Sequence, residues 1–143
     1  MSLPLAEERE VMQSGVQTAV APKKTVWAGY VISAIPVLML LFSGSVKLLR
    51  LPSVVQGFGV YGYPASLIAV IGILEVGCTF VYLIPRTAVL GAILMTGFLG
   101  GAIVSNVRLN NPLFSIPLIL GVMVWGGLYL REPRLRALIP LRK

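Results

Sequence analysis

The sequence predicts an all-α integral membrane protein, a four-helix bundle with both its N and C termini in the cytoplasm. Three observations support this: an apolar composition, long runs without charge, and an uneven distribution of basic residues. Of the 143 residues, 57% are hydrophobic and only 12% are charged, and the mean hydropathy is +0.89. Soluble domains contain about 25% charged residues. The composition therefore favours a chain that lies in a bilayer.

Four segments are long enough to span that bilayer. Three uncharged runs, 25–46, 87–107 and 109–130, contain 22, 21 and 22 residues. A helix of that length reaches about 32 Å, roughly the thickness of the hydrocarbon core. A fourth helix is predicted over 65–84, where Glu75 is the only charged residue.

These segments define a membrane domain over residues 25–130. The N-terminal tail, 1–24, is predicted to be cytoplasmic, because it lacks the basic start and unbroken apolar core of a secretory signal. The C-terminal segment, 131–143, mixes arginine with leucine and is typical of an amphipathic helix on an anionic membrane surface. Within the membrane domain, the predicted helices are about 26–49, 65–84, 87–107 and 112–130.

Basic residues near the helix ends predict the orientation. An even number of helices places both termini on one side, where eight basic residues lie against three on the other side. The more basic side faces the cytoplasm. The net charge of +7 is then explained by contact with anionic lipid, and nucleic acid is not a predicted partner. The eight are Lys23, Lys24, Arg86, Arg131, Arg134, Arg136, Arg142 and Lys143, and the three are Lys47, Arg50 and Arg108.

Proline, glycine and aromatic residues predict further features of these elements. Pro36 should bend the first helix. The segment 51–63, which contains three glycines, is predicted to be an apolar loop that lies in the interface or re-enters the membrane. Pro85 should end the second helix at a tight turn, so that the second and third helices are antiparallel neighbours. Aromatic belts are predicted at the cytoplasmic interface from Trp27, Tyr30, Tyr82, Trp125 and Tyr129, and at the outer interface from Tyr61 and Tyr63.

The third helix contains the G-x-x-x-G pair Gly97 and Gly101. Small residues four apart let two helix backbones approach closely in lipid. The pair is therefore predicted to be a helix-packing site. Two interpretations stay open, packing within the bundle and contact between two copies in a homo-oligomer.

Glu75, in the stretch IGILEVGCTF, is the only acidic residue between Glu10 and Glu132. At the centre of a membrane helix, an acidic residue costs on the order of 2.5–3.5 kcal/mol. Glu75 should therefore face the bundle interior and have a partner or a proton. Lys47 is the obvious partner, but the two residues are predicted at different depths. Glu75 lies about 15 Å from the outer end of its helix, whereas Lys47 lies only about one turn from the outer end of the first helix.

Other polar residues are placed to join this pair. Ser43 precedes Lys47 by four residues and shares its helix face, and small and polar residues of the third helix lead to Asn106. We predict that Ser43, Lys47, Glu75 and Asn106 line one intramembrane pocket. The pair has three readings: a structural bond between helices, a ligand or proton site, and a carboxylate that faces lipid.

The chain has no histidine and one cysteine, Cys78. This composition excludes bis-histidine haem, the usual zinc sites and an intramolecular disulfide, so no cofactor or metal is predicted. Cys78 is interpreted as a small, buried, inert residue. An enzyme is the least favoured class, because only Glu75 and Lys47 remain as an acid and a base.

Several stretches, in order along about 27–140, carry a family resemblance: LFSGSVKLL, YGYP, IGILEVGC, YLIPRTAVLGAILMTGFLGGAIVSNVR and WGGLYLREPRLRALIP. Together they resemble the DoxX-like family of small bacterial four-helix membrane proteins. The recurrent polar positions of that family correspond to Lys47, Glu75 and Arg86. Relatives often have histidine where this chain has Asn106, which argues against a metal or proton-transfer role there.

The resemblance implies a multi-pass protein of the bacterial cytoplasmic (inner) membrane, and the family takes its name from a subunit associated with quinone-linked sulfur oxidation. With the residues, it favours a non-catalytic accessory subunit that binds a membrane-protein partner or a lipid-like, quinone-like ligand in the polar pocket. The alternative is a small transporter that uses Glu75 as the titrating group, because intramembrane carboxylates mark such pathways. Four helices are few for a monomeric transporter, so this alternative predicts a homo-oligomer.

Overall fold

The structure, a computed structural model, describes residues 4–17 and 21–138, and in these ranges the chain is helical almost throughout. The α-helices are α1 (Leu5–Gln17), α2 (Lys23–Leu48), α3 (Pro52–Val60), α4 (Ser66–Leu83), α5 (Ala88–Arg108), α6 (Ser115–Arg131) and α7 (Pro133–Leu138), and a 3-10 helix (Pro112–Phe114) precedes α6. The helices α2, α4, α5 and α6, the last with its 3-10 turn, are long and apolar enough to cross a membrane. The predicted all-α, four-helix membrane fold is confirmed.

The four long helices contact one another in a ring. α2 packs against α4 and α6, and α5 packs against the same two helices, so α2 and α5 occupy opposite corners. The outward faces are apolar as well, since Phe42 is 73% exposed and Val122 is 67% exposed. These faces contact the lipid bilayer. Buried side chains fill the interior, among them Leu40, Tyr82, Met95, Leu99, Val124 and Leu128.

Two pairs of glycines set the spacing of α2 from its neighbours. A Cβ added to Gly29 would lie 2.7 Å from the carbonyl oxygen of Gly127 on α6. Further along α2, a Cβ added to Gly44 would lie 3.3 Å from the carbonyl oxygen of Gly72 on α4. Because dispersion contacts drive helix association in lipid, such close approaches stabilise the bundle.

Gly97 and Gly101 do not make a contact of this kind within the chain. A Cβ added to either glycine would meet no described atom within 4 Å. The close packing predicted there inside the bundle is therefore made at other glycines. Contact between two copies through Gly97 and Gly101 stays a prediction.

Tyr82 is fully buried, so its predicted place in the interfacial belt is wrong. Its hydroxyl donates to the carbonyl oxygen of Val124 at 2.9 Å and, with its one proton used there, accepts from Ser33 Oγ at 2.9 Å. The guanidinium of Arg131 lies over the ring, 4.6 Å from its centroid. Tyr82 thus joins α2, α4 and α6 at the end of the bundle where α2 begins.

The variant Tyr82→Phe is expected to lower the free energy of unfolding by about 1–2 kcal/mol, because the buried hydroxyl of Ser33 loses its acceptor. The measurement is the midpoint of unfolding in mild detergent titrated with a denaturing one. Tyr129→Phe is the matched control, since Tyr129 is 41% exposed, and it should change the free energy by less than about 0.5 kcal/mol. Equal effects of the two variants would contradict the structural role of Tyr82.

The connection between α2 and α4 contains the helix α3, so the loop conformation predicted over 51–63 is wrong. Its predicted place in the interface or as a re-entrant segment stays a prediction. Pro52 lies in the first turn, where its missing N–H breaks no helical hydrogen bond, and the carbonyl of Leu51 accepts from the next turn. The glycines within α3 weaken a helix by only about 1 kcal/mol each relative to alanine. A turn at Gly62, with φ of +77°, then leads toward α4.

Two further helices lie outside the four long ones, α1 before them and α7 after them. α1 lies within the predicted N-terminal tail, and α7 follows α6 with Leu135 buried. Arg136 holds α7 against α6, because its Nε donates to the carbonyl oxygen of Tyr129 at 2.8 Å. The rest of the tail and of the predicted amphipathic segment, residues 1–3, 18–20 and 139–143, lies outside the described residues. The cytoplasmic placement of the termini stays a prediction.

Candidate functional site

Glu75 and Lys47 form a direct ion pair inside the bundle. Lys47 Nζ lies 2.6 Å from Glu75 Oε2 and donates a second hydrogen bond to Ser43 Oγ at 2.6 Å. The side chain of Glu75 is 2% exposed and that of Lys47 is 17% exposed. The carboxylate therefore faces the interior, and the reading in which it faces lipid is excluded.

Lys47 can reach Glu75 because α2 ends deeper in the bundle than α4 begins. A Cβ added to Gly72 would lie 3.1 Å from the Cβ of Lys47, so these two residues stand at one level. That level is six residues into α4, or about 9 Å, and Glu75 lies about 4.5 Å further on. A lysine side chain spans the remaining distance. Gly72 permits this alignment, since a side chain there would meet Lys47.

A cavity of about 680 Å³ opens beside the ion pair, at the end of the bundle opposite the termini. Its volume falls within the roughly 300–1,000 Å³ of small-molecule sites. Most of the wall is apolar, with Met39, Leu40, Phe58, Phe98, Leu99 and Leu120 among the lining residues. The six residues singled out from the sequence, Ser43, Lys47, Glu75, Gly97, Gly101 and Asn106, all line this cavity.

Ser43, Lys47 and Glu75, which we call the polar floor, have hydrogen-bonding capacity left over. The ammonium group of Lys47 has three N–H donors, and two are used. Ser43 accepts from Lys47, so its own proton is free to donate. Among the described residues, no hydrogen bond engages Glu75 Oε1, which is also not a fully enclosed atom. The floor thus offers donors and one carboxylate acceptor to the cavity.

Tyr61, Tyr63, Ser105 and Asn106, which we call the rim, are hydrogen-bonded to one another. The hydroxyl of Tyr61 donates to Asn106 Oδ1 at 2.7 Å. Ser105 Oγ gives its single proton to the carbonyl oxygen of Gly101, so it accepts from Tyr63 at 2.7 Å. These bonds join the segment after α3 to α5. Asn106 therefore lines the cavity, but its Oδ1 is engaged by Tyr61 and its Nδ2 donates to the carbonyl oxygen of Ala102 on α5.

The two rim tyrosines are functional candidates that the sequence pattern does not identify. Their position before a membrane helix is typical of an interfacial belt, and that is where the sequence places them. The only signal is Ser105, one of the small and polar residues of α5 that lead to Asn106, yet nothing in the sequence pairs a residue of 61–63 with one of 105–106. The structure pairs them because α3 brings its end back over α5.

The fold and site define a class: a small multi-pass membrane protein whose four-helix bundle encloses an ion pair beside a largely apolar cavity. The model of the DoxX-like family matches residues 31–127, a range that contains the polar floor and the rim. The chain belongs to the DoxX-like family. Neither the curated proteins nor the solved structures include a match to this chain.

Proposed function

We propose that this protein is a non-catalytic accessory subunit of the bacterial cytoplasmic membrane that binds a lipid-like molecule, such as a quinone, in its cavity. The observation that carries the proposal is the contrast between the apolar walls and the polar floor of Ser43, Lys47 and Glu75. A ring or chain would bury its apolar surface against the walls. The headgroup would form hydrogen bonds with the floor.

The ion pair gives the polar floor a fixed geometry. Lys47 Nζ and Glu75 Oε2 are engaged with each other at 2.6 Å. The paired arrangement favours a fixed set of hydrogen bonds that orients a bound headgroup. A membrane-protein partner would then use the ligand that this subunit holds.

The variant Glu75→Gln is expected to weaken binding of the ligand by tenfold or more, which corresponds to about 1.4 kcal/mol. Glutamine keeps the size of the side chain but loses the charge that holds Lys47. The measurement is native mass spectrometry of the protein taken from its own membrane in mild detergent, with the retained small-molecule mass compared between variants. Ser45→Ala is the matched control, because Ser45 is exposed on α2 and its side chain donates to the carbonyl oxygen of Leu41 on the same helix.

The outcomes of this measurement separate the candidate functions. A quinone-sized mass that is lost in Glu75→Gln and kept in Ser45→Ala supports the proposal, and a retained second polypeptide identifies the partner. Equal retention in a folded Glu75→Gln variant contradicts a headgroup contact at the floor. A bare homo-oligomer favours the transporter alternative, for which proton-coupled flux in liposomes is the next test.

A further inference from the structure

We infer that the floor recognises a hydroxyl group, so that the cavity prefers an apolar alcohol, phenol or quinol to the corresponding carbonyl compound. The inference rests on the proposed function, because it concerns the headgroup of the same ligand. It comes from the hydrogen-bonding capacity that Lys47 and Glu75 leave unused.

Besides the free proton of Ser43, the floor presents one charged donor and one charged acceptor side by side. Lys47 Nζ has a third N–H, and its ion-pair partner Glu75 has Oε1 without a hydrogen bond among the described residues. A carboxylate oxygen only accepts, and an ammonium group only donates. A ligand that satisfies both must therefore accept and donate through neighbouring atoms or through one atom.

A hydroxyl group does this with a single oxygen. It donates its proton to Glu75 Oε1 and accepts from the free N–H of Lys47. A carbonyl oxygen can accept from Lys47 and from Ser43 but has no proton for Glu75. Binding of a carbonyl compound would leave Glu75 Oε1 desolvated and unpaired. It would also place the partially negative carbonyl oxygen beside that carboxylate oxygen, which is unfavourable in an apolar site.

Charge excludes an anionic headgroup from the same position. Lys47 and Glu75 cancel each other, so the floor has no net charge to hold a phosphate or carboxylate. Arg50 and Arg108 do not line the cavity, and Arg108 donates to the carbonyl oxygen of Tyr61. A third charge beside the pair would be buried without a partner, at a high cost in a low-dielectric interior.

The tyrosine hydroxyls of the rim have no free proton to donate to the hydroxyl of the ligand. The protons of Tyr61 and Tyr63 are given to Asn106 and Ser105, and breaking these bonds would weaken the attachment of the end of α3 to α5. The headgroup is thus directed to the floor. The apolar remainder of the ligand then lies along the walls toward the rim.

A matched pair of probes tests the inference: a short-chain benzoquinone and its hydroquinone, which share one scaffold and differ in carbonyl against hydroxyl. Binding to the full-length protein in mild detergent is measured by anaerobic calorimetric titration. The hydroquinone is expected to bind at least tenfold more tightly. Its dimethyl ether, which cannot donate, should bind no better than the quinone.

The variants assign the preference to the floor. Glu75→Gln should reduce it to less than about threefold, because an amide can donate as well as accept, whereas Ser45→Ala should keep it. Equal binding of the two probes, or tighter binding of the quinone, would overturn the hydroxyl inference and leave the proposed function standing. Binding of neither probe would overturn the proposed function and this inference together.

Discussion

Replacing Lys47 with methionine is expected to destabilise the protein by about 3–5 kcal/mol, the cost of removing one partner from a buried ion pair. Methionine keeps an unbranched side chain against Gly72 but removes the cation that lies 2.6 Å from Glu75 Oε2. The carboxylate, which is 2% exposed, is then left without its charged partner. The free energy of unfolding is measured in mild detergent titrated with a denaturing one.

A second substitution shows whether the loss comes from the unpaired charge. The double variant Lys47→Met, Glu75→Leu should recover most of the stability, because replacing a whole buried pair by apolar residues is often neutral. Lys24→Met, at an exposed position in the first turn of α2, is the control and should change little. A loss below about 1 kcal/mol in Lys47→Met would contradict the stabilising role of the ion pair.

The variant Gly91→Ala is expected to lower the free energy of unfolding by about 3 kcal/mol, the upper part of the usual range for overpacking. A Cβ added to Gly91 would collide with the backbone N and Cα of Tyr82 and lie 2.7 Å from its Cβ. These are helix backbone atoms near the tight turn between α4 and α5, so they cannot rotate away. The two helices would have to separate.

Gly100→Ala is the matched control on the same helix, and its effect should have the opposite sign. A Cβ there meets no described atom within 4 Å, so alanine should stabilise the helix by about 0.5–1 kcal/mol through its higher helix propensity. Both variants are measured by the same unfolding titration. A neutral Gly91→Ala variant would contradict the close approach of α4 and α5.

The fold was predictable because lipid imposes a strong rule on sequence. A backbone that crosses the hydrocarbon core must satisfy its own hydrogen bonds, so long uncharged runs become helices. The predicted helix over 65–84 corresponds to Ser66–Leu83, and that over 87–107 to Ala88–Arg108. The segment 51–63 was harder, since a short helix and an irregular loop have similar compositions when glycine is frequent.

The site was predictable in its chemistry and only partly in its geometry. A lone carboxylate in an apolar helix requires an interior partner, which points to Glu75 and to Lys47 as its cation. Whether Glu75 and Lys47 could meet depended on how far α2 and α4 are shifted along their axes relative to each other. That shift depends on where Gly44 and Gly72 bring the two backbones together. Likewise, the burial of Tyr82 follows from its neighbours Ser33 and Val124, which are distant in the chain.

The sequence by itself determined that this protein lies in a lipid bilayer, how many long helices it has, and that these helices need one interior polar contact. Each result follows from local composition, because burying a charge or an unpaired backbone group in lipid is costly. The tertiary structure decided which glycines pack, how deep Lys47 lies, and that a cavity with a polar floor remains between α2 and α5. These depend on contacts between residues far apart in the chain. Such contacts are set by the fit of whole helix faces, which no short stretch of sequence contains.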